Sequence, residues 1–208
     1  MAGEFYERLR RGFRSRSHLP FFYYMGKSRN DHKRISPLGG TREERIAKVK
    51  NQRYTDVELV LEQVDDPHNI GAILRSCEAF GIQAVHLLYH QTKPPRLSEI
   101  RSTSAASAVK WLTIKKWSSI DDCISDIKKR NLSIYATALD PNGKPHFAYD
   151  LTQPLAIIIG NEKDGISTEL LSYADHIITI PMRGFVQSLN VSVAAAVVLS
   201  EILRQRSI

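Results

Sequence analysis

Leu155-Ala156-Ile157-Ile158-Ile159-Gly160-Asn161-Glu162 decides how this chain is read. Five unbroken apolar residues suit a parallel strand covered on both faces, because a half-exposed strand would alternate with polar side chains. The abrupt stop at Gly160-Asn161-Glu162 puts a polar, flexible tip where that strand ends. Working outward, Val57 to Val64 is an apolar-rich run halted by Asp65-Asp66-Pro67, and Ala84 to Tyr89, Val109 to Ile114, Leu132 to Ala138 and His176 to Ile180 read as further strands. Helices fall between them. Asn69 is an acceptable N-cap, Ile70, Ile73, Leu74, Cys77 and Phe80 recur at helical spacing as a core face, and Gly81 closes the segment. A loop or short helix is expected through Arg96 to Ser107, a helix from Ser119 to Arg130, and a turn at Pro141-Asn142-Gly143. The last helix, Ser188 to about Arg204, is apolar nearly all round, so it is buried inside the fold or against another subunit. Strands alternating with helices predict an α/β domain with a mostly parallel sheet and helices on both faces.

With 208 residues, the chain has room for one domain and an appendage, and its 42% hydrophobic and 25% charged residues are those of a globular protein. The longest apolar run, Val191 to Leu199, is interrupted by Ser192 and is far short of the roughly 20 residues that span a bilayer. No membrane association is expected. Cys77 and Cys123 have neither a disulfide framework nor metal-ligand spacing and read as free thiols of a reducing compartment. The N-terminal stretch lacks the apolar region of a secretory signal, so the expected location is cytoplasmic; an Arg- and Ser-rich start also resembles an organellar transit peptide, against which Glu4 and Glu7 count.

Charge is unevenly spread. Residues 1–53 carry 14 Lys/Arg against 5 Asp/Glu, whereas the remainder carries 15 against 17. The basicity therefore belongs to an N-terminal arm, expected to occupy residues 1–53, ahead of a body over 54–208. Arg8, Arg10, Arg11, Arg14 and Arg16 form a block that would bind a polyanion through counterion release, which points to nucleic acid. The aromatics Phe5, Tyr6, Phe13 and Phe21 to Tyr24 are interleaved with that charge; they either stack on bases or anchor the arm to the body. Ser36-Pro37-Leu38-Gly39-Gly40 reads as a hinge, and Thr41 with Glu44 has capping-box spacing for a basic helix over Arg42 to Gln52.

Parallel sheets bind ligands beyond the carboxyl ends of their strands. Here those ends are Asp65 to Asn69, Thr137 to Leu139, Gly160 to Glu162, and Ile180 to Asn190. On the first helix Gly71, Ala72, Arg75 and Ala79 would make a flat surface carrying one guanidinium; the plain alternative is that Arg75 is a solvated charge. The Gly160 to Gly165 loop lacks the pattern of a phosphate loop, and Ser188 and Asn190 either open the last helix as cap and spare amide or face a ligand. His86, His90, Asp65, Asp66 and His68 lack a metal site's spacing, and no Ser/His/Asp arrangement stands out.

Three segments together carry a resemblance: Asp66-Pro67-His68-Asn69-Ile70-Gly71-Ala72-Ile73-Leu74-Arg75, Ile159 to Gly165, and Ile180-Pro181-Met182 through Val186-Gln187-Ser188-Leu189-Asn190-Val191-Ser192. In order and content they resemble the SpoU/TrmH family of SPOUT RNA 2′-O-methyltransferases over roughly Glu43 to Gln205. The nearest subgroup methylates the 2′-hydroxyl of guanosine 18 in the tRNA D-loop with S-adenosylmethionine. The resemblance implies a C-terminal trefoil knot and a homodimer. It assigns cofactor contacts to Thr137, Leu139, Gly160, Ile180, Met182 and Leu189, and catalysis to Asn69, Arg75, Glu162, Ser188 and Asn190. Within this family proton removal is given to Arg75; a guanidinium with a pKa above ~12 suits phosphate binding and alkoxide stabilisation better. The basic arm departs from the family pattern, and two alternatives stay open: a ribosomal RNA methyltransferase of the same superfamily, and a noncatalytic RNA-binding protein on this fold.

Overall fold

The computed structural model describes residues 40–102 and 108–207. The chain divides into two compact units, residues 1–48 and 49–208. Helix α1 (Arg42–Asn51) begins in the first and has no buried residue. Its start is the expected capping box: Thr41 N–H donates to Glu44 Oε2 at 2.8 Å, and Glu44 N–H donates back to Thr41 Oγ1 at 3.2 Å.

The second unit is built on β1 (Tyr54–Glu62), α2 (Pro67–Ala79), β2 (Ile82–Leu88), α3 (Leu97–Ser102), β3 (Thr113–Trp117), α4 (Ile120–Lys128), β4 (Ser133–Thr137), β5 (Lys144–Pro145), β6 (Leu155–Ile159), α5 (Thr168–Leu171), β7 (His176–Thr179) and α6 (Val191–Arg206). Seven strands form one sheet in the order β3-β2-β1-β6-β4-β7-β5. Every pairing is parallel. The apolar run Leu155 to Ile159 is the middle strand, with all five residues buried.

Alternation along the strands sorts the core into two layers. Leu59, Leu61, Ile157 and Ile159 face α2 and α6, where Ile70, Ile73, Leu74, Val198 and Ile202 meet them. Val60, Ala156 and Ile158 face α4 and α5, where Ile124, Ile127 and Leu170 meet them. Each fully buried Ile or Leu contributes about 1.5–3 kcal/mol of burial, so both layers are strongly held. From β1 the chain moves outward to β2 and β3 on one side, while β6, β4 and β7 lie on the other. The carboxyl ends of β1 and β6 thus flank the point where the order reverses, the place where open α/β sheets leave a crevice.

Buried polar groups are few. His86 is fully buried; Trp117 Nε1–H donates to its Nδ1 at 2.8 Å, and its Nε2 meets Glu58 Oε2 at 2.8 Å. An indole only donates, so Nδ1 is the unprotonated nitrogen and Nε2–H donates to the carboxylate. Arg130 also pairs with Glu58.

Four expectations need correction. Helix α2 starts at Pro67, capped by Asp66, whose Oδ1 accepts the His68 N–H at 2.8 Å; proline's fixed φ suits the first helical position, and Asn69 falls within the first turn rather than at the cap. Helix α6 is capped by Asn190, whose side chain accepts the Ser192 N–H, so Ser188 precedes the cap. Residues Ala108–Trp111 form a 3-10 turn and the strand is Thr113–Trp117; as an edge strand paired only with β2 it accommodates Lys115 and Lys116. Gly71 is buried, which leaves half-buried Ala72 and exposed Arg75 and Ala79 of the supposed flat surface. No helix among the described residues is long and apolar enough to cross a membrane.

Candidate functional site

Three chain segments meet beyond the ends of β1 and β6. The first is the start of α2, where the Asp66 cap and Pro67 orient the opening turn that carries Asn69. The second is the loop after β6. Asn161 and Gly165 exchange backbone hydrogen bonds of 2.9 and 3.0 Å, and Asn161 Oδ1 accepts the Lys163 and Asp164 N–H groups at 2.8 and 3.2 Å. Gly165 takes φ +70°, the left-handed turn that closes this hairpin. A Cβ on Gly160 would overlap the Gly165 carbonyl and the Ile166 nitrogen, so only glycine allows the loop to fold back on itself. The third segment is the approach to α6, ending at its Asn190 cap.

The loop presents Glu162 to Asn69, whose Nδ2–H donates to Glu162 Oε1 at 2.8 Å. Asn190 Nδ2–H donates to Asn69 Oδ1 at 3.1 Å. Asn190 Oδ1 accepts the N–H and Oγ–H of Ser192 at 2.9 and 2.6 Å. Because a carboxylate only accepts, both amide orientations follow, and the chain of donors runs one way from the start of α6 to Glu162. Asn69 is half-buried, while Glu162 and Asn190 are exposed, so the carboxylate stands at the mouth of the site.

Beside this chain lies a cleft of about 710 Å³ between the ends of β4 and β6 and the approach to α6. Thr137, Leu139, Gly160 and Leu189 line it, and Ile180 and Met182 line an adjoining hollow that shares Thr137, Leu139 and Leu189. All six residues assigned to the cofactor thus face one continuous depression of a size that holds a drug-sized ligand. The adjoining hollow is walled mainly by apolar surface, while the main cleft mixes aliphatic side chains with polar ones and with the backbone of Gly160 and Gly165. Such a cleft fits an adenosyl-type cofactor: apolar surface for a flat base, and amides for its polar edge. Thr137 holds its own place by donating from Oγ1 to Ile158 O at 3.0 Å.

Some expected site residues stay apart. Arg75 lies six residues beyond Asn69 on α2, about 9 Å along the axis; it is exposed, and its side chain has no hydrogen bond or ion pair among the described residues. Ser188 lines the cleft without joining the hydrogen-bonded chain. Arg8, Arg10, Arg11, Arg14 and Arg16 lie outside the described residues. No group of His, Cys, Asp and Glu among the described residues could hold a metal.

Sequence reasoning passed over Asn161, whose Nδ2–H donates to Gln63 O at 2.6 Å and ties the loop to the end of β1. Its place directly after a strand and glycine, where an Asx side chain caps its own turn, was the available signal. Also missed was Tyr89, whose hydroxyl donates to Val64 O. Burial raises its pKa, and the nearby negative charges of Asp65 and Glu162 add to the shift.

Comparison with known proteins agrees with this geometry. The family model described as "SpoU rRNA Methylase family" matches residues 56–200. A tRNA (guanosine(18)-2′-O)-methyltransferase of Thermus thermophilus is 42% identical over 165 residues, covering 79% of this chain and 83% of the relative. Among solved structures, the Aquifex aeolicus TrmH/SpoU tRNA modifying enzyme superposes with a TM-score of 0.69 at 32% identity, over 79% of this chain and 83% of that one. The SpoU methyltransferase AviRb of Streptomyces viridochromogenes, solved with the cofactor AdoMet, gives 0.63 at 29% identity over 72% and 60%. With a cleft beyond the strand ends and all three motifs inside the matched region, this chain belongs to the SpoU methylase family.

Proposed function

We propose that the protein is an RNA ribose 2′-O-methyltransferase that uses S-adenosylmethionine and acts on guanosine 18 of the tRNA D-loop. The observation that carries this reading is the junction of the cleft beyond β4 and β6 with the Glu162–Asn69–Asn190 chain, in a sequence 42% identical to a tRNA guanosine-18 methyltransferase. When bound, the cofactor supplies an electrophilic methyl group on its sulfonium. Thr137, Leu139, Gly160, Ile180, Met182 and Leu189 wall its site. Asn69, Glu162, Ser188 and Asn190 orient the ribose and its surroundings, which converts a slow encounter into a positioned one. Arg75, a permanent cation, binds the neighbouring phosphate and stabilises the developing alkoxide, with the phosphate or a water taking the 2′-proton.

The same reading includes a trefoil knot in the C-terminal part. It is supported by β6 and β7 flanking β4 and by residues 187–191 returning to the loop after β6. It also includes a homodimer through the outer face of α6. Val193 is 47% exposed there, and Ala196, Val197 and His146 line a shallow groove beside exposed Phe147. Residues 1–53 serve as the RNA-binding arm of the 54–208 catalytic body, and two buried free thiols suit a cytoplasmic setting. Incubation with methyl-labelled cofactor and separated tRNA and rRNA pools tests the reading. Label is expected in tRNA; label confined to rRNA selects the ribosomal alternative, and none in either pool removes the activity.

A further inference from the structure

The last residue of β1 and the one after it hold the loop that carries Glu162 at both of its ends. Gln63, in the left-handed region at φ +53°, turns its carbonyl to Asn161, the residue before Glu162. Glu62 holds the other end. Its Oε2 accepts the Ser167 N–H at 2.8 Å and its Oε1 accepts the Ser167 Oγ–H at 2.5 Å. His90 Nε2 lies 2.9 Å from the same Oε1, and since the carboxylate only accepts, the imidazole donates. Glu62 is 1% exposed, so its carboxylate bears a desolvation cost that an apolar side chain in its place would not. Ser167 is also the N-cap of α5, so a single residue joins Glu62, the loop and the following helix.

We propose that Glu62 is a positioning residue for methyl transfer: through Ser167 it anchors the 160–167 loop and thereby keeps Glu162 on Asn69. This rests on reading the Glu162–Asn69 pair as part of the methyl-transfer site. Gly160 continues directly from β6 and abuts Gly165, and the other residues assigned to the cofactor, Thr137, Leu139, Ile180, Met182 and Leu189, stand outside this loop, so most of the cofactor wall keeps its place without Glu62. Losing the anchor therefore frees the Glu162 tip more than the cleft.

Glu62→Gln in the full chain keeps the shape and sets an NH2 group against at least one of the three donors. With tRNA as substrate, kcat falls about 10- to 100-fold, the range expected when a site group is misplaced by an ångström. The calorimetric affinity for S-adenosylmethionine and the KM for tRNA change less than about threefold, and hydrogen exchange at the Ser167 amide accelerates. Adding Glu62→Gln to Glu162→Gln costs nothing further, because a residue acting through Glu162 has no effect once Glu162 is gone. Wild-type kcat in Glu62→Gln, unchanged exchange at Ser167, or losses that multiply in the double variant would overturn the proposal. If Glu62→Gln loses its cooperative melt, Ser167→Ala replaces it, with the same non-additivity expected and wild-type kcat again decisive against. A wild-type chain inactive on every RNA would refute the functional reading instead, and the exchange measurement would still decide whether Glu62 holds the loop.

Discussion

Asn69→Asp is the substitution that the hydrogen-bonded chain at the site makes most informative. Aspartate keeps the size and still accepts from Asn190, but it replaces the donor facing Glu162 by a second anionic oxygen 2.8 Å away. Two unit charges at that distance repel by about 1.5 kcal/mol in the dielectric of water and about 6 kcal/mol at an effective value near 20. Asn69 is half-buried and Glu162 exposed, so the lower part applies, about 1.5–3 kcal/mol. Two carboxylates this close favour holding one proton between them as the pH falls. In acid a shared proton rebuilds the bridge; at higher pH both groups are ionised and push apart. Initial rates under saturating cofactor from pH 5.5 to 8.5 should therefore show Asn69→Asp about 10- to 100-fold slow at pH 8 and recovering relative to wild type as pH falls. Asn69→Ala should be comparably slow with no such recovery. A wild-type rate for Asn69→Asp at pH 8, or the same acid recovery in Asn69→Ala, would show that the bridge has no part in catalysis.

Arg75→Ala should abolish methylation with cofactor affinity unchanged, while Arg75→Lys separates the two roles: partial activity with an unaltered pH profile for electrostatic stabilisation, a rate climbing with pH for a base. Burial pushes the Cys77 thiol up to about 12, so native protein at pH 8 should alkylate at this residue ~1000-fold more slowly than a free thiol and react fully once unfolded, as peptide mapping would report. Val197→Glu, on the outer face of α6, should turn a dimeric mass by light scattering into a monomeric one. Deleting residues 1–40 should weaken RNA binding and flatten its salt dependence with cofactor affinity intact, as filter binding across a salt series would register.

The central strand was legible because five apolar residues in a row have few other uses, and the core face of α2 because Ile70, Ile73, Leu74 and Cys77 repeat at helical spacing. Strand ends gave the location of the cleft for the same reason: in a parallel sheet they fall on one edge. Helix starts were less legible. Asp66 and Asn69 are both good caps, and only Pro67 between them decides; Ser188 and Asn190 compete likewise, and Asn190 prevails by holding Ser192. Edge strand β5 escaped, and β3 was expected a few residues too early, because a strand paired on one side tolerates lysine and proline. The anchors Glu62 and Ser167, and the tie from Asn161 to Gln63, were invisible for a different reason: these partners lie about a hundred residues apart, and neither periodicity nor local turn chemistry reports such pairs.

The proposed activity is tested most directly by locating the product. A single tRNA transcript is incubated with the protein and S-adenosylmethionine, digested, and read by mass spectrometry, beside a transcript carrying 2′-deoxyguanosine at position 18. One added methyl on the ribose of guanosine 18, and none in the deoxy transcript, is the expected result. A methyl on a base, or equal methylation of the deoxy transcript, would contradict it.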